Sequence, residues 1–363
     1  MSTTPGAFSG EDAFSGEAAE HEPVKQNGRP ELAEEGVLEG PAAAELVTPF
    51  IGDVRQGILQ ETVETAEPPA TPAEPLLAGY EYVPPPPLPR RKPDLADCLL
   101  FALLGIGAFF CSGLLMLGAV HYHLFGVSNF KQANEEIHYR IGSQAAWYII
   151  TLLFCVIVFR LAWRKSFFDG LQWRADTAAR RIWQLVGAAS ACFVAAIVDE
   201  LVMPGPTNAP IDQTFRMPGA VWLLFGFGVT LAPLIEEIAF RGFLLPALCT
   251  AWDWTSEHFN LGPSGGHALP LPPEEDGFPH WSRPAMIFGS VIVSIPFALM
   301  HGEQTAYSIG PFLLLVSISL VLCWVRLAVR SLAASVIVHS SYNLLLFALM
   351  FLGTGGFKHL DNM

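Results

Sequence analysis

Long uncharged apolar runs fill most of this chain beyond residue 95, and they decide what it can fold into. A helix that crosses a bilayer needs about 20 mostly apolar residues. Runs at roughly 97–120, 144–163, 181–203, 284–301, 309–329 and 331–352 meet that requirement. A further apolar stretch, 218–250, is too long for a simple crossing, and Pro233 near its middle predicts a kink or break there. Counted once it gives seven spans; counted twice it gives eight. In lipid every backbone polar group must be satisfied within its own segment. The predicted fold class is therefore all-α, a polytopic transmembrane helical bundle.

The first 94 residues are of another kind. They are rich in Glu, Ala, Pro and Gly, show no sustained helical or strand period, and end in "PPPPLPRRKPD". Such a segment buries too little apolar surface to offset its ordering entropy, so 1–94 is expected to be a disordered tail and 95–355 the membrane domain. The charge divides the same way. The chain carries −14 in all, with −13 in residues 1–89 and −1 in the rest. Nucleic acid is therefore not an implied partner. Pro84–Pro87 favours polyproline II, which suits a stiff spacer before the first span or, as the weaker reading, a docking segment for an unknown partner. No secretory signal is expected at the start.

Lys and Arg in short loops set orientation. "PRRK" precedes the first span, and six basic residues fall between Arg160 and Arg181. The loop between the first two spans has only Lys131 and Arg140. The tail and the 164–180 loop are thus expected in the cytoplasm, with the plasma membrane as the host. Arg326 and Arg330, read as lying between the last two spans, fall on the same side if 218–250 is one pass. The six cysteines sit in or beside apolar runs without metal-knuckle spacing and read as buried thiols.

Ionisable groups inside such runs need partners or a task. "LAPLIEEIAFRGFLLPAL", residues 231–248, holds Glu236, Glu237 and Arg241. On a helix Glu237 and Arg241 are i and i+4 and can pair. Glu236 lies about 100° round the helix and is left over. A leftover carboxylate in an apolar site can act as a base where water reaches it. The plainer alternative puts both glutamates at a helix end near the headgroups. "FALMHGE" places His301 at the end of a span, four residues after Phe297, and "IVHSSYNLLLF" puts His339 and Asn343 at i and i+4. Taken singly, each histidine reads as interhelical glue.

The ordered set Glu-Glu-x-x-x-Arg, Phe-x-x-x-His and His-x-x-x-Asn, each on an apolar helix, resembles the CPBP family: the type II CAAX prenyl proteases and their prokaryotic relatives, also called the ABI family. The resemblance covers roughly residues 218–350. It implies an intramembrane endopeptidase in which Glu236 activates a water, His301 and His339 orient that water or ligate a metal, and Asn343 donates to the developing oxyanion. Glu237, Arg241 and Phe297 would support them. Glu236 and the two histidines would suffice for a catalytic zinc with an open position, although the HExxH spacing of soluble zinc proteases is absent. The implied partners are membrane lipid and a peptide or protein substrate, prenylated or membrane-proximal. A non-proteolytic scaffold or immunity-type protein with the same helices is the alternative reading. A proton-coupled transporter ranks below both, since no inverted repeat of broken spans is visible.

Other features point less sharply. His258, His267, His280 and the acidic 273–276 read as a solvated loop over 251–283 rather than a second metal site. Trp222, Trp252, Trp254 and Trp281 near span ends suit an interfacial belt.

Overall fold

In the computed structural model residues 92–206, 209–259 and 278–358 are described. The tail expected over 1–94 lies, up to residue 91, outside them, as do His267 and the acidic 273–276. The chain divides into two units, Met1–Val83 and Pro84–Met363, and every described residue belongs to the second.

Among the described residues the fold is all-helical, and seven helices are long and apolar enough to cross a membrane. They are α1 (Leu95–His121), α2 (Ile137–Trp163), α3 (Ile182–Val202), α4 (Ala220–His258), α5 (Arg283–Met300), α6 (Ile309–Val329) and α7 (Leu332–Gly353). Helices of this length and composition suit a membrane-spanning protein. The outer face of α1 shows why. Leu99, Leu103, Ile106, Phe110 and Leu114, spaced at helical intervals, are all exposed. A helix apolar on its outward face suits hydrocarbon and would be out of place in water.

Local chemistry sets the ends. Asp94 caps α1 by accepting from the amide of Asp97, whose carboxylate accepts in turn from Asp94 N at 3.1 Å. Ser282 caps α5 in the same manner, accepting from Ala285 N at 3.2 Å. Gly289 on α5 permits the close approach of α4, since a Cβ there would lie 2.8 Å from Cys249 Sγ.

Three boundaries differ from expectation. First, α2 begins at Ile137, seven residues before its apolar run, because the amphipathic turn before 144 continues the helix. Second, α4 does not break at Pro233. It runs unbroken over 39 residues to His258, so it is one pass, and residues 251–258 are helix rather than loop. Its continuity comes from two π-helical segments, Phe227–Leu231 and Ile238–Leu244, each ending two residues before a proline, Pro233 and Pro246. A proline ring collides with the carbonyl four residues earlier in a regular α-helix. The wider π turn gives that carbonyl room. Third, Arg326 is not a loop residue. It lies within α6 and is 1% exposed. Trp281 is likewise buried rather than interfacial, donating Nε1–H to Thr250 Oγ1 at 3.0 Å.

Candidate active site

The central stretch of α4, α5 and the first half of α7 meet around Glu236. His301 is the C-cap of α5, and its Nε2 lies 3.8 Å from Glu236 Oε2. His339, on the third turn of α7, places its own Nε2 3.8 Å from the same oxygen. Side chains separated by 65 and 103 positions in sequence thus converge on one carboxylate oxygen. The apolar core that aligns them includes Phe297, Leu322, Val325, Ala334 and Val338, all essentially inaccessible.

Each imidazole is fixed from behind. His301 Nδ1 lies 2.9 Å from the Phe297 carbonyl, and His339 Nδ1 lies 3.0 Å from Glu237 Oε1. Both partners only accept, so each Nδ1 carries a proton and each Nε2 is the nitrogen turned toward Glu236. This is the arrangement by which proteins hold histidines in one tautomer for work at the other nitrogen.

Glu237 is engaged twice by one oxygen. Arg241 Nη1 donates to Oε1 at 2.9 Å across the expected i, i+4 step, and both residues are fully buried. Arg241 also donates Nη2–H to Ser319 Oγ at 2.7 Å and to the Ser319 carbonyl at 3.0 Å. Its guanidinium stands 4.5 Å from the Phe297 ring centroid. Phe297 therefore backs three site residues, with His301 and His339 ring centroids at 5.0 and 5.8 Å. Glu237 Oε2 and Arg241 Nε are buried without a hydrogen-bond partner.

Asn343 is one turn beyond His339, and its amide donates to the Gly228 carbonyl at 2.7 Å. Gly228 belongs to the first π segment of α4. A parallel contact holds the second π segment, where Arg326 Nε donates to the Arg241 carbonyl at 3.3 Å. Arg326 further donates Nη2–H to the Gln172 side-chain oxygen at 2.7 Å and the Leu171 carbonyl at 3.2 Å. Sequence reading missed Ser319 and the buried position of Arg326. The signal is an arginine three residues inside the end of an apolar run, a position that the short-loop rule reads as a marker of orientation.

A cavity of about 460 Å³ opens beside Glu236 between α1, α2 and α4. Phe101, Ile106, Trp147, Phe240 and Met300 give it apolar walls, and Tyr148 and Thr151 add polar atoms. Trp147 Nε1–H is spent on the Gly105 carbonyl at 2.8 Å and the Thr151 hydroxyl on the Trp147 carbonyl at 2.8 Å. His258 and His280 do not join this site. His258 stacks on Trp254 at the far end of α4 and His280 precedes α5.

One carboxylate faced by two oriented imidazoles inside an apolar helical bundle is an arrangement able to activate a water molecule. Residues 218–345 match the family model described as type II CAAX prenyl endopeptidase, Rce1-like. That is the family the three motifs resemble, and the matched segment holds every site residue named above except Leu171 and Gln172 and the α1 and α2 walls of the cavity. No curated protein and no solved structure matches the chain.

Proposed function

We propose that the protein is an intramembrane endopeptidase in which Glu236 activates a water held between His301 and His339. The observation that carries this reading is the pair of 3.8 Å separations from two Nε2 atoms to one Glu236 oxygen. That spacing is too long for direct hydrogen bonds and short enough for one water to donate to Glu236 and to one imidazole while lying against the other.

Glu236 takes a proton from this water as it attacks the peptide carbonyl. The carbonyl carbon becomes tetrahedral, its oxygen takes the negative charge, and the proton passes from Glu236 to the leaving amine. Asn343 has a second amide N–H beyond the one on Gly228, and that hydrogen is the donor assigned to the oxyanion. Glu237, charged beside Arg241, holds His339 by its Nδ1–H. The apolar cavity receives the hydrocarbon part of the substrate, a lipid-modified tail or a membrane-proximal segment.

Zinc is the cofactor suggested by the His, His, Glu donor set. Among the described residues no group of three His, Cys, Asp or Glu side chains is arranged to hold a metal ion. No step is therefore routed through a metal.

Cleavage of a peptide library in detergent by wild type and by Glu236→Gln tests the proposal, with products read by mass spectrometry. Wild-type cleavage that is lost in the variant is expected. Equal cleavage by both would remove Glu236 from the chemistry, and inertness of the wild type toward every lipidated and unlipidated peptide would favour a scaffold. Loss of turnover in 1,10-phenanthroline with recovery on added Zn²⁺ would assign Glu236, His301 and His339 to a metal, and turnover that survives the chelator would leave the water on the side chains alone.

A further inference from the structure

A peptide that enters the cavity beside Glu236 brings backbone carbonyls into mostly apolar walls, where a carbonyl without a donor is costly. Four side chains of the wall carry nitrogen or oxygen: Trp147, Tyr148, Thr151 and Glu236. Trp147 and Thr151 have committed their hydrogens to the carbonyls of Gly105 and Trp147. Glu236 as a carboxylate only accepts. The wall is made of helices, whose own backbone N–H groups are used internally.

Tyr148 is what remains. Its phenol oxygen accepts from Gln144 Nε2 at 3.4 Å, and among the described residues its O–H hydrogen has no acceptor. The contact to Gln144 is long and weak. A phenylalanine would fill the same ring position, so the fold has little use for the hydroxyl.

Packing fixes where that hydroxyl stands. Tyr148 is 8% exposed, and its ring centroid lies 5.4 Å from that of Trp147 and 5.5 Å from that of Phe227. It shares an apolar cluster with Ala232 and Ile235 of α4. The ring thus lies along the face of α4 that leads from the first π segment to Glu236, within electrostatic reach of the Glu236 carboxylate. Asn343 is anchored on the same segment, at the carbonyl of Gly228, the residue after Phe227.

We propose that Tyr148 contacts the substrate, donating its O–H to a backbone carbonyl of the peptide in the cavity and so holding the scissile bond in front of Glu236. The clause on the scissile bond rests on the endopeptidase reading; the peptide contact does not. A helical segment keeps its carbonyls for its own hydrogen bonds. The occupant that Tyr148 recognises is therefore an extended or unwound peptide beside an apolar anchor. A lipid without an amide gains nothing from this residue.

Binding tests this without turnover. The probe is a fluorescent peptide carrying S-octylcysteine, and its affinity is measured in detergent against micelles without protein. Full-length Glu236→Gln, which should leave the peptide uncut, is compared with Glu236→Gln/Tyr148→Phe. The second should bind about tenfold more weakly, because a peptide carbonyl is left unpaired in the cavity. A fluorescent octyl label without peptide should bind both alike. Equal affinity of the two variants for the peptide overturns the proposal. Gln144→Leu on the Glu236→Gln background should stay within about twofold, since it removes only the long contact. A loss there that matches Tyr148→Phe would show that the hydroxyl merely fixes the ring, and it overturns the assignment.

A series of peptides, each with one amide replaced by a trans-alkene, locates the carbonyl. One analogue should bind Glu236→Gln more weakly and show no further loss with Tyr148→Phe. Unchanged affinity at every position overturns the contact without any substitution at 148, so the test survives a Tyr148→Phe protein that folds poorly. In the active enzyme Tyr148→Phe should lower kcat/KM about tenfold at an unchanged melting temperature, which a packing role would not produce. Tyr148-dependent binding by a wild type that cuts no peptide would refute the endopeptidase reading and leave the peptide contact standing.

Discussion

Glu236 and Glu237 are adjacent in sequence and identical in chemistry, yet they stand in opposite halves of the site. Glu237 is fully buried and held by a guanidinium and an imidazole N–H. Glu236 keeps some exposure, lines the cavity and, among the described residues, stands 3.8 Å from two imidazole Nε2 atoms. A single residue step makes the difference, because a rotation of about 100° directs one carboxylate into the plug of fully buried groups around Arg241 and the other toward the cavity. A carboxylate with one oxygen already held by a guanidinium and an imidazole positions its neighbours. One left uncommitted is available to take a proton.

Glu236→Gln breaks that contrast most severely. It keeps the shape and removes the base, so turnover should fall by roughly 10²–10⁴-fold with thermal stability in detergent unchanged. A variant that cleaves at the wild-type rate, while Glu237→Gln is inert and equally stable, would reverse the two assignments.

Glu237→Gln should act first on stability. It strands a fully buried Arg241, and breaking one side of a buried ion pair costs about 3–5 kcal/mol. The melting temperature in detergent should drop clearly, and activity below that temperature should persist at a reduced level as His339 loses its acceptor. An unchanged melting temperature would show that the Ser319 contacts alone suffice for Arg241.

How far the sequence foretold this contrast depends on the range of the interactions. The spans were legible because a bilayer imposes length and apolarity on each segment independently. The Glu237–Arg241 pair was legible because i, i+4 geometry is local. The convergence of Glu236, His301 and His339 is implied by the resemblance of the three motifs, and it suits ionisable groups that have few separate partners in apolar helices. The π segments were not legible. Pro233 signalled a disruption, but whether a helix breaks or widens depends on which side chains collect the displaced carbonyls. Here they are Asn343 on α7 and Arg326 on α6, more than 80 residues away in sequence. Ser319 was hidden for the same reason, being an ordinary serine in an apolar run until α6 packs beside Arg241.

Ser319→Ala sharpens the comparison on the sealed side alone. It deletes the 2.7 Å hydroxyl contact and leaves the carbonyl contact to Arg241 in place. The loss should be about 1–3 kcal/mol, below that of Glu237→Gln, with KM unaltered because no atom of Ser319 borders the cavity. A larger effect on KM than on the melting temperature would mean that the plug and the cavity are one unit.

The smallest effect should follow removal of residues 1–88, the region most unlike the site in composition. That region carries nearly all the net negative charge of the chain. The groups assigned to the chemistry lie between Glu236 and Asn343, and the family match begins at residue 218. The truncation keeps Arg90, Arg91 and Lys92, the basic residues that precede α1. It also keeps the Asp94–Asp97 cap and the Lys92 contact to Asp97 at 3.3 Å, so α1 retains its first turn and the cavity its wall. Turnover in detergent should therefore stay within a few-fold of the full chain, measured on the same peptide at equal protein concentration. Complete loss of cleavage by a truncated protein that melts normally would place a required part of the enzyme in the acidic tail, and the division between a chemical membrane core and a chemically silent tail would have to be abandoned.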